Sequence, residues 1–205
     1  MRPAPIASPQ VPGQAPGQGW LPDARRIVSP NQDERPDGIA VDALILHHIS
    51  LPPGRFAGDA IERLFTNRLD AAAHPYYATI AGARVSAHFL LRRHGALVQF
   101  VATDRRAWHA GVSSLMGRAR CNDFSIGIEL EGDSRRDFTP SQYRRLRALI
   151  ETLAAMHRIR HVAGHSDVAP GRKVDPGPRF DWSRIDDLLR RLGIARFSVE
   201  APPAT

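Results

Sequence analysis

The sequence predicts a single α/β domain in which a mixed central β-sheet is flanked by helices. Three observations carry that expectation. Residues 41–49 (VDALILHHI) form a short apolar run of the kind found in strands covered on both faces. Residues 125–131 alternate apolar with small or acidic side chains at the period of a strand. Two later segments, starting at Thr139 and Asp181, repeat apolar residues at helical spacing behind capping residues. Strands interleaved with helices place the helices against a sheet, and a hairpin pattern within 85–102 makes that sheet mixed.

In chain order, residues 1–19 are rich in Pro, Gly and Gln and read as a flexible tail. Residues 20–38, punctuated by Pro and Asp, predict an irregular strap. The strand over 41–49 ends in His47 and His48 and is broken by Leu51-Pro52-Pro53-Gly54. A short helix over 58–65 puts Ile61, Leu64 and Phe65 on one face. Strands over 85–92 and 97–102, joined through Arg93-His94-Gly95, follow the hairpin pattern. Residues 104–123 lack periodicity and read as a long loop, which inside a compact domain is more often functional than not.

In the next strand Ile126, Ile128 and Leu130 face one way, while Ser125, Gly127, Glu129 and Glu131 face the other. Thr139-Pro140 is an N-cap followed by proline at the first helical position, and the helix buries Tyr143, Leu146, Leu149, Ile150 and Leu153. A strand over 159–163 leads into Gly164-His165. The last helix starts from an Asp181 cap, buries Trp182, Ile185, Leu188, Leu189 and Leu192, and stops at Gly193. The domain then spans 20–193, with 194–205 as a C-terminal tail.

A chain of 205 residues, 42% hydrophobic and 24% charged, suits one soluble domain. No apolar run reaches the length of a membrane helix, and the N-terminus lacks the apolar stretch of a secretory signal. No membrane partner is expected, and the cytoplasm is the expected compartment. Cys121 is the only cysteine, so no intrachain disulfide forms, which suits a reducing environment. The net charge of +7 raises nucleic acid as a partner. The arginines, however, are scattered in pairs such as Arg25-Arg26 and Arg190-Arg191 and belong to no nucleic-acid motif. They read as a solvated surface, then as an attraction for an acidic small substrate, and no nucleic-acid partner is expected.

Of the 28 Lys+Arg residues one is a lysine, Lys173, within GHSDVAPGRKVDPGP at 164–178. Arginine keeps its charge almost everywhere, whereas the pKa of lysine moves readily in a buried site. A lone lysine beside Asp175 and near His165 therefore points to chemistry. His47 at one strand end, His165 after another and Asp175 on a loop stiffened by Gly and Pro form the donor set of a three-ligand catalytic zinc site. The same spacing also suits ordinary hydrogen-bonded histidines. Zinc lowers the pKa of bound water toward ~7, so a nearby base completes a hydrolase. Glu129 is the first choice for that base and Glu131 the fallback. Both also fit the solvent side of an edge strand. Lys173 would steady the oxyanion of a tetrahedral intermediate.

The runs HPYYATIAGARVSAHFLLRRHGALVQFV, RRAWHAGVSS, RARCNDFSIGIELEG and GHSDVAPGRKVDPGP resemble the zinc amidases that cleave N-acetylmuramoyl-L-alanine bonds. The likeness is greatest to the AmpD-type cytoplasmic 1,6-anhydro-N-acetylmuramyl-L-alanine amidases, and it extends from about Trp20 to Leu192. HxISLPPG at 47–54 and HPYY at 74–77 belong to the cytoplasmic branch more than to secreted relatives. The resemblance implies an amidase and peptidoglycan-recognition-like fold and one zinc ion per chain, held by His47, His165 and Asp175. It implies Glu129 and Lys173 as catalytic residues, and a monomer acting on small muropeptides in peptidoglycan recycling and the control of β-lactamase induction. It places Arg84, Trp108, Arg120 and Asn122 around the substrate cleft, an arginine there suiting stem-peptide carboxylates. His48 is expected to touch substrate or to pack, His109 to line the site, and His88 to be structural. An amidase acting on intact peptidoglycan outside the cytoplasm and a non-catalytic peptidoglycan-binding module are the alternatives.

Overall fold

The structure, a computed structural model, describes residues 19–199. Its strands are β1 (Arg25–Arg26), β2 (Gln32–Asp33), β3 (Ala43–Ile49), β4 (Phe89–Leu91), β5 (Leu97–Gln99) and β6 (Arg106–Ala107). They continue with β7 (Ser114–Leu115), β8 (Arg118–Ala119), β9 (Ser125–Glu131), β10 (His161–Gly164) and β11 (Ala195–Phe197). The helices are α1 (Ala60–Phe65), α2 (Pro75–Ala78), α3 (Pro140–Met156), α4 (His165–Val168) and α5 (Ser183–Leu192).

Seven strands form one sheet in the order β1-β5-β4-β9-β3-β10-β11. Within it only the β4–β5 hairpin is antiparallel, so the sheet is mixed as expected. Alternate residues of β3 and β9 go to opposite faces. Leu44 and Leu46 of β3 and Ile126, Ile128 and Leu130 of β9 pack with Leu146, Leu149, Ile150 and Leu153 of α3 and with Ile185, Leu188 and Leu189 of α5. On the other side, Ala43 and Ile45 pack with Ala110, Leu115, Cys121, Phe124 and Val168. Leu90 and Val98 meet Ile61, Leu64 and Phe65 of α1 in a further cluster.

Several local expectations need revising. All seven residues of β9 are buried, because the strand lies in the middle of the sheet. Glu129 and Glu131 therefore do not mark a solvent face. The hairpin strands are shorter than expected, with regular pairing confined to Phe89–Leu91 and Leu97–Gln99, although the His88 carbonyl still accepts from Phe100 N–H at 2.9 Å. The long loop contains β6, paired with β2 of the strap, and the small β7–β8 hairpin. Asp181 caps one residue early, accepting from Ser183 N–H at 3.1 Å, and α5 then starts at Ser183. Trp182 and Leu192 are only partly buried.

The C-terminal tail does not begin at 194. Ile194 is buried, and β11 adds a parallel strand beside β10. The N-terminal tail lies outside the described residues except for Gly19, which is buried with its carbonyl accepting from Thr103 N–H and Gln99 Nε2.

Two polar devices fix the end of the sheet near β9. In a capping box, Thr139 Oγ1 accepts from Gln142 N–H, and the Gln142 side chain accepts from Thr139 N–H. Gln142 Nε2 then donates to Glu131 O at 2.9 Å and to Leu91 O at 3.3 Å, docking α3 on β9 and β4. Glu131 accepts from Arg92 at 2.7 Å and from the N–H groups of Ala57 and Arg93, while Arg92 also pairs with Glu62 at 2.8 Å. These charges are buried and mutually satisfied. Removing one partner strands the others, so Glu131→Ala is expected to destabilise the fold by about 3–5 kcal/mol. Urea unfolding measures this, and an unchanged midpoint would show that the network carries no stability.

Candidate metal centre

The parallel strands β3, β9 and β10 deliver functional side chains at their C-terminal ends, where open α/β sheets commonly place their sites. His47 is the fifth residue of β3, on the face shared with Ala43 and Ile45. Glu129 is its register partner on β9. His165 follows β10 directly as the first residue of α4. Asp175 reaches the group from the next loop, where its carbonyl accepts from Ser166 N–H at 2.8 Å. Gly164 makes this approach possible, since a Cβ there would lie 2.7 Å from Pro176 Cδ.

The three predicted ligands come together. His47 Nδ1 lies 2.9 Å from His165 Nδ1, and each lies 3.0 Å from Asp175 Oδ2. All three residues are buried. The far nitrogen of His165, Nε2, faces Ala110 O at 3.1 Å and must donate to it, which leaves Nδ1 as a lone pair. Burial holds His47 neutral, its pKa pushed down to about 4, with His165 and Lys173 acting in the same direction against Asp175. Nitrogen and oxygen electron pairs at this spacing need a positive centre among them. Around a tetrahedral ion with arms of about 2.0–2.2 Å, neighbouring ligand atoms stand roughly 3.3–3.6 Å apart, so a separation of a few tenths of an ångström would admit one. The donor set fits a metal ion.

Glu129 is buried, and its Oε2 has no hydrogen-bond partner among the described residues. Burial raises its pKa well above 4.5, Asp175 adds to that, and Lys173 opposes it. Glu131 is engaged by Arg92 and two backbone N–H groups and is not free for the role of base. Lys173 is exposed on the loop before Asp175, and its ammonium makes no ion pair among the described residues.

The residues expected around the substrate divide. Trp108, Arg120 and Asn122 line one cleft of about 390 Å³ together with Asp33 and Arg106. Within it Arg120 pairs with Asp123 at 3.0 Å. Asn122 Oδ1 accepts from the N–H groups of His109 and Ala110, at 3.2 and 2.8 Å. Arg84 is exposed outside this cleft. His48 is turned by strand alternation away from His47 and meets Ser134 Oγ at 3.0 Å.

His88 is fully buried, accepting from Gly127 N–H on Nδ1 and facing Arg105 O with Nε2. Burial first, and Arg35 next, hold it well below the usual histidine pKa. His109 lies closer to the centre, its Nδ1 3.0 Å from His47 Nε2. Arg35 was missed from sequence. Its guanidinium donates to the carbonyls of Asn122, Asp123 and Ser125 at 3.0 Å, pinning the strap to the approach of β9. One arginine among many scattered ones gave no signal.

The sequence pattern of the N-acetylmuramoyl-L-alanine amidases matches residues 37–178. The 1,6-anhydro-N-acetylmuramyl-L-alanine amidase AmpD of Salmonella typhimurium (strain SL1344) is 53% identical over 176 residues, 85% of this chain and 94% of that protein. The crystal structure of a selenomethionine AmpD derivative superposes with a TM-score of 0.80 at 50% identity, covering 89% of this chain and all of the other. The Escherichia coli amidase AmiD, in complex with anhydro-N-acetylmuramic acid-L-Ala-D-γ-Glu-L-Lys, gives a TM-score of 0.54 at 28% identity, covering 79% of this chain and 62% of that one. With the pattern spanning most of the domain and the predicted ligands converging within it, this chain belongs to the N-acetylmuramoyl-L-alanine amidase family.

Proposed function

We propose that this protein is a zinc-dependent amidase that hydrolyses the bond between the lactyl group of 1,6-anhydro-N-acetylmuramic acid and L-alanine. It acts as a monomer with one zinc ion per chain, on soluble muropeptides in the cytoplasm, within peptidoglycan recycling and the control of β-lactamase induction. The observation that carries the reading is a buried carboxylate with a free oxygen, Glu129 Oε2, one strand away from three converging ligand atoms. The described residues contain no helix long and apolar enough to cross a membrane.

His47 Nδ1, His165 Nδ1 and Asp175 Oδ2 would hold the ion. When bound, zinc supplies Lewis acidity that polarises a carbonyl and acidifies water. Glu129 accepts the proton of the attacking water on Oε2 and returns it to the departing alanine amine. Its raised affinity for protons suits both halves of that task. The Lys173 ammonium, unpaired and within electrostatic reach of Glu129 and His47, offsets the charge developing on the carbonyl oxygen. Trp108, Arg120, Asn122, Arg84 and His48 are the proposed substrate contacts, with Arg84 and Arg120 available to stem-peptide carboxylates.

The deciding assay is mass spectrometric. The protein is incubated with anhydro-muramyl tripeptide and, separately, with intact peptidoglycan, each with and without chelator. Release of free tripeptide from the soluble fragment alone, lost on chelation and restored by zinc, is expected. Cleavage of the intact wall instead would favour the extracytoplasmic amidase, and no cleavage by zinc-loaded protein would favour a binding module.

Glu129→Gln keeps the shape and removes the base, and is expected to lower kcat by about 10²–10⁴-fold with zinc content unchanged. Lys173→Ala is expected to lower kcat far more than it raises KM, and an unchanged kcat would remove the lysine from the mechanism.

The metal-free protein should lose stability on acidification. His47 and His157 are pushed down to about 4 from 6.5, chiefly by burial, and His88 and His109 also lie well below 6.5. Between pH 6.5 and 4 the unfolded chain binds protons that the folded chain refuses, so stability falls as pH drops through that window. Glu129, raised above 4.5, acts in the opposite sense but is one group against four. Urea midpoints of the chelated protein should be lower at pH 5 than at pH 7.

A further inference from the structure

Behind His47 runs a chain of hydrogen bonds whose direction is fixed at its far end. Ser125 Oγ lies 2.6 Å from the carbonyl oxygen of Cys121. A carbonyl carries no proton, so the hydroxyl donates its only one there. Toward His109 Nε2, 3.3 Å away, Ser125 Oγ is therefore an acceptor, and Nε2 holds the ring proton of His109. A neutral imidazole has a single N–H, so His109 Nδ1 is a bare acceptor. It stands 3.0 Å from His47 Nε2, which must donate to it. The proton of His47 is thereby placed on Nε2, and its Nδ1 is left as the electron pair facing His165 and Asp175.

We propose that His109 is a positioning residue of the metal centre: by accepting from His47 Nε2 it selects the tautomer of His47 and turns the ring so that Nδ1 meets the ion. The inference rests on the metal-centre reading above. It is supported by how tightly the chain places this ring. The imidazole lies over Gly127, where a Cβ would come within 2.4 Å of His109 Cγ. The two imidazoles of His47 and His109 meet edge to face, with centroids 5.1 Å apart and planes at 87°.

The neighbouring residue performs the matching task for the second ligand. Ala110 O accepts from His165 Nε2 at 3.1 Å, and Arg172 donates to the same oxygen at 2.7 Å. Asn122 Oδ1 holds the N–H groups of both His109 and Ala110. One dipeptide thus sets the proton position of both histidine ligands, through a side chain for one and a carbonyl for the other.

The test compares zinc affinity, by competition with a chromophoric chelator, and the visible spectrum of the cobalt-loaded protein. His109→Leu removes the acceptor. His109→Asn retains one, because the asparagine Oδ1 takes the place of Nδ1. The leucine variant is expected to bind zinc about 10–100-fold more weakly, the usual cost of losing a ligand's outer partner, and to shift the cobalt bands. The asparagine variant should restore both toward wild type.

Thermal unfolding of the metal-free proteins establishes that each variant is folded. Should the leucine variant fail to fold, Ser125→Ala, which frees the His109 proton to move, is expected to weaken zinc binding in the same direction. Equal affinities for wild type and folded His109→Leu would overturn the role of His109, as would an asparagine variant no better than leucine. A wild-type protein that takes up no metal would overturn the metal centre itself.

Discussion

Three electron-pair donors held about 3.0 Å apart, all buried, are the constraint around which the rest of this structure is arranged. Left alone they repel, and desolvation removes the water that would soften the repulsion. The fold tolerates the arrangement because each donor is held from behind. Parallel pairing of β3 with β10 brings the two histidines to the same end of the sheet, and the Ser166 N–H pins the backbone of Asp175. Gly127 and Gly164, with no side chains, let His109 and Pro176 approach strands that any Cβ would have closed to them. The geometry stores an affinity for a cation in the packing of neutral groups.

Much of this was legible in the sequence. The apolar run before His47, the alternation of 125–131, the Thr139-Pro140 start and the Gly193 stop each follow from local rules. The sheet, α3 and the end of α5 appear where those rules put them. The grouping of His47, His165 and Asp175 was legible because Asp175 sits in a rigid segment and both histidines end apolar runs. The position of β9 within the sheet was not. Alternation reports one buried face and is silent on whether loops cover the other, so the burial of Glu129 and Glu131 emerged only from strand order. That Glu131 rather than Glu129 is engaged by Arg92 is likewise set by tertiary structure. The strand after Gly193 was hidden because Ala195–Phe197 is only three residues long, too short for its alternation to mark a strand, and it pairs where β10 offers a free edge.

Arginine does two kinds of work in this chain. Most pairs lie on exposed surfaces, where ion pairs contribute little. Arg35 and Arg92 are different: one gathers backbone carbonyls from two loops, and the other bridges Glu62 and Glu131. The planar guanidinium suits both tasks, because it presents several donors in fixed directions and stays charged when burial lowers its pKa, to about 10 in Arg35. The strap and the α1 region are thereby fastened to the sheet by polar contacts as well as by packing.

The compositional bias toward arginine leaves one ε-amino group in the whole sequence, that of Lys173, and it is exposed on the loop before Asp175. Reagents that acylate or alkylate lysine have a single side-chain target here, two residues along the chain from a proposed metal ligand. The molecule thus carries a built-in attachment point for a fluorophore or spin label beside its reaction centre, without any engineered cysteine.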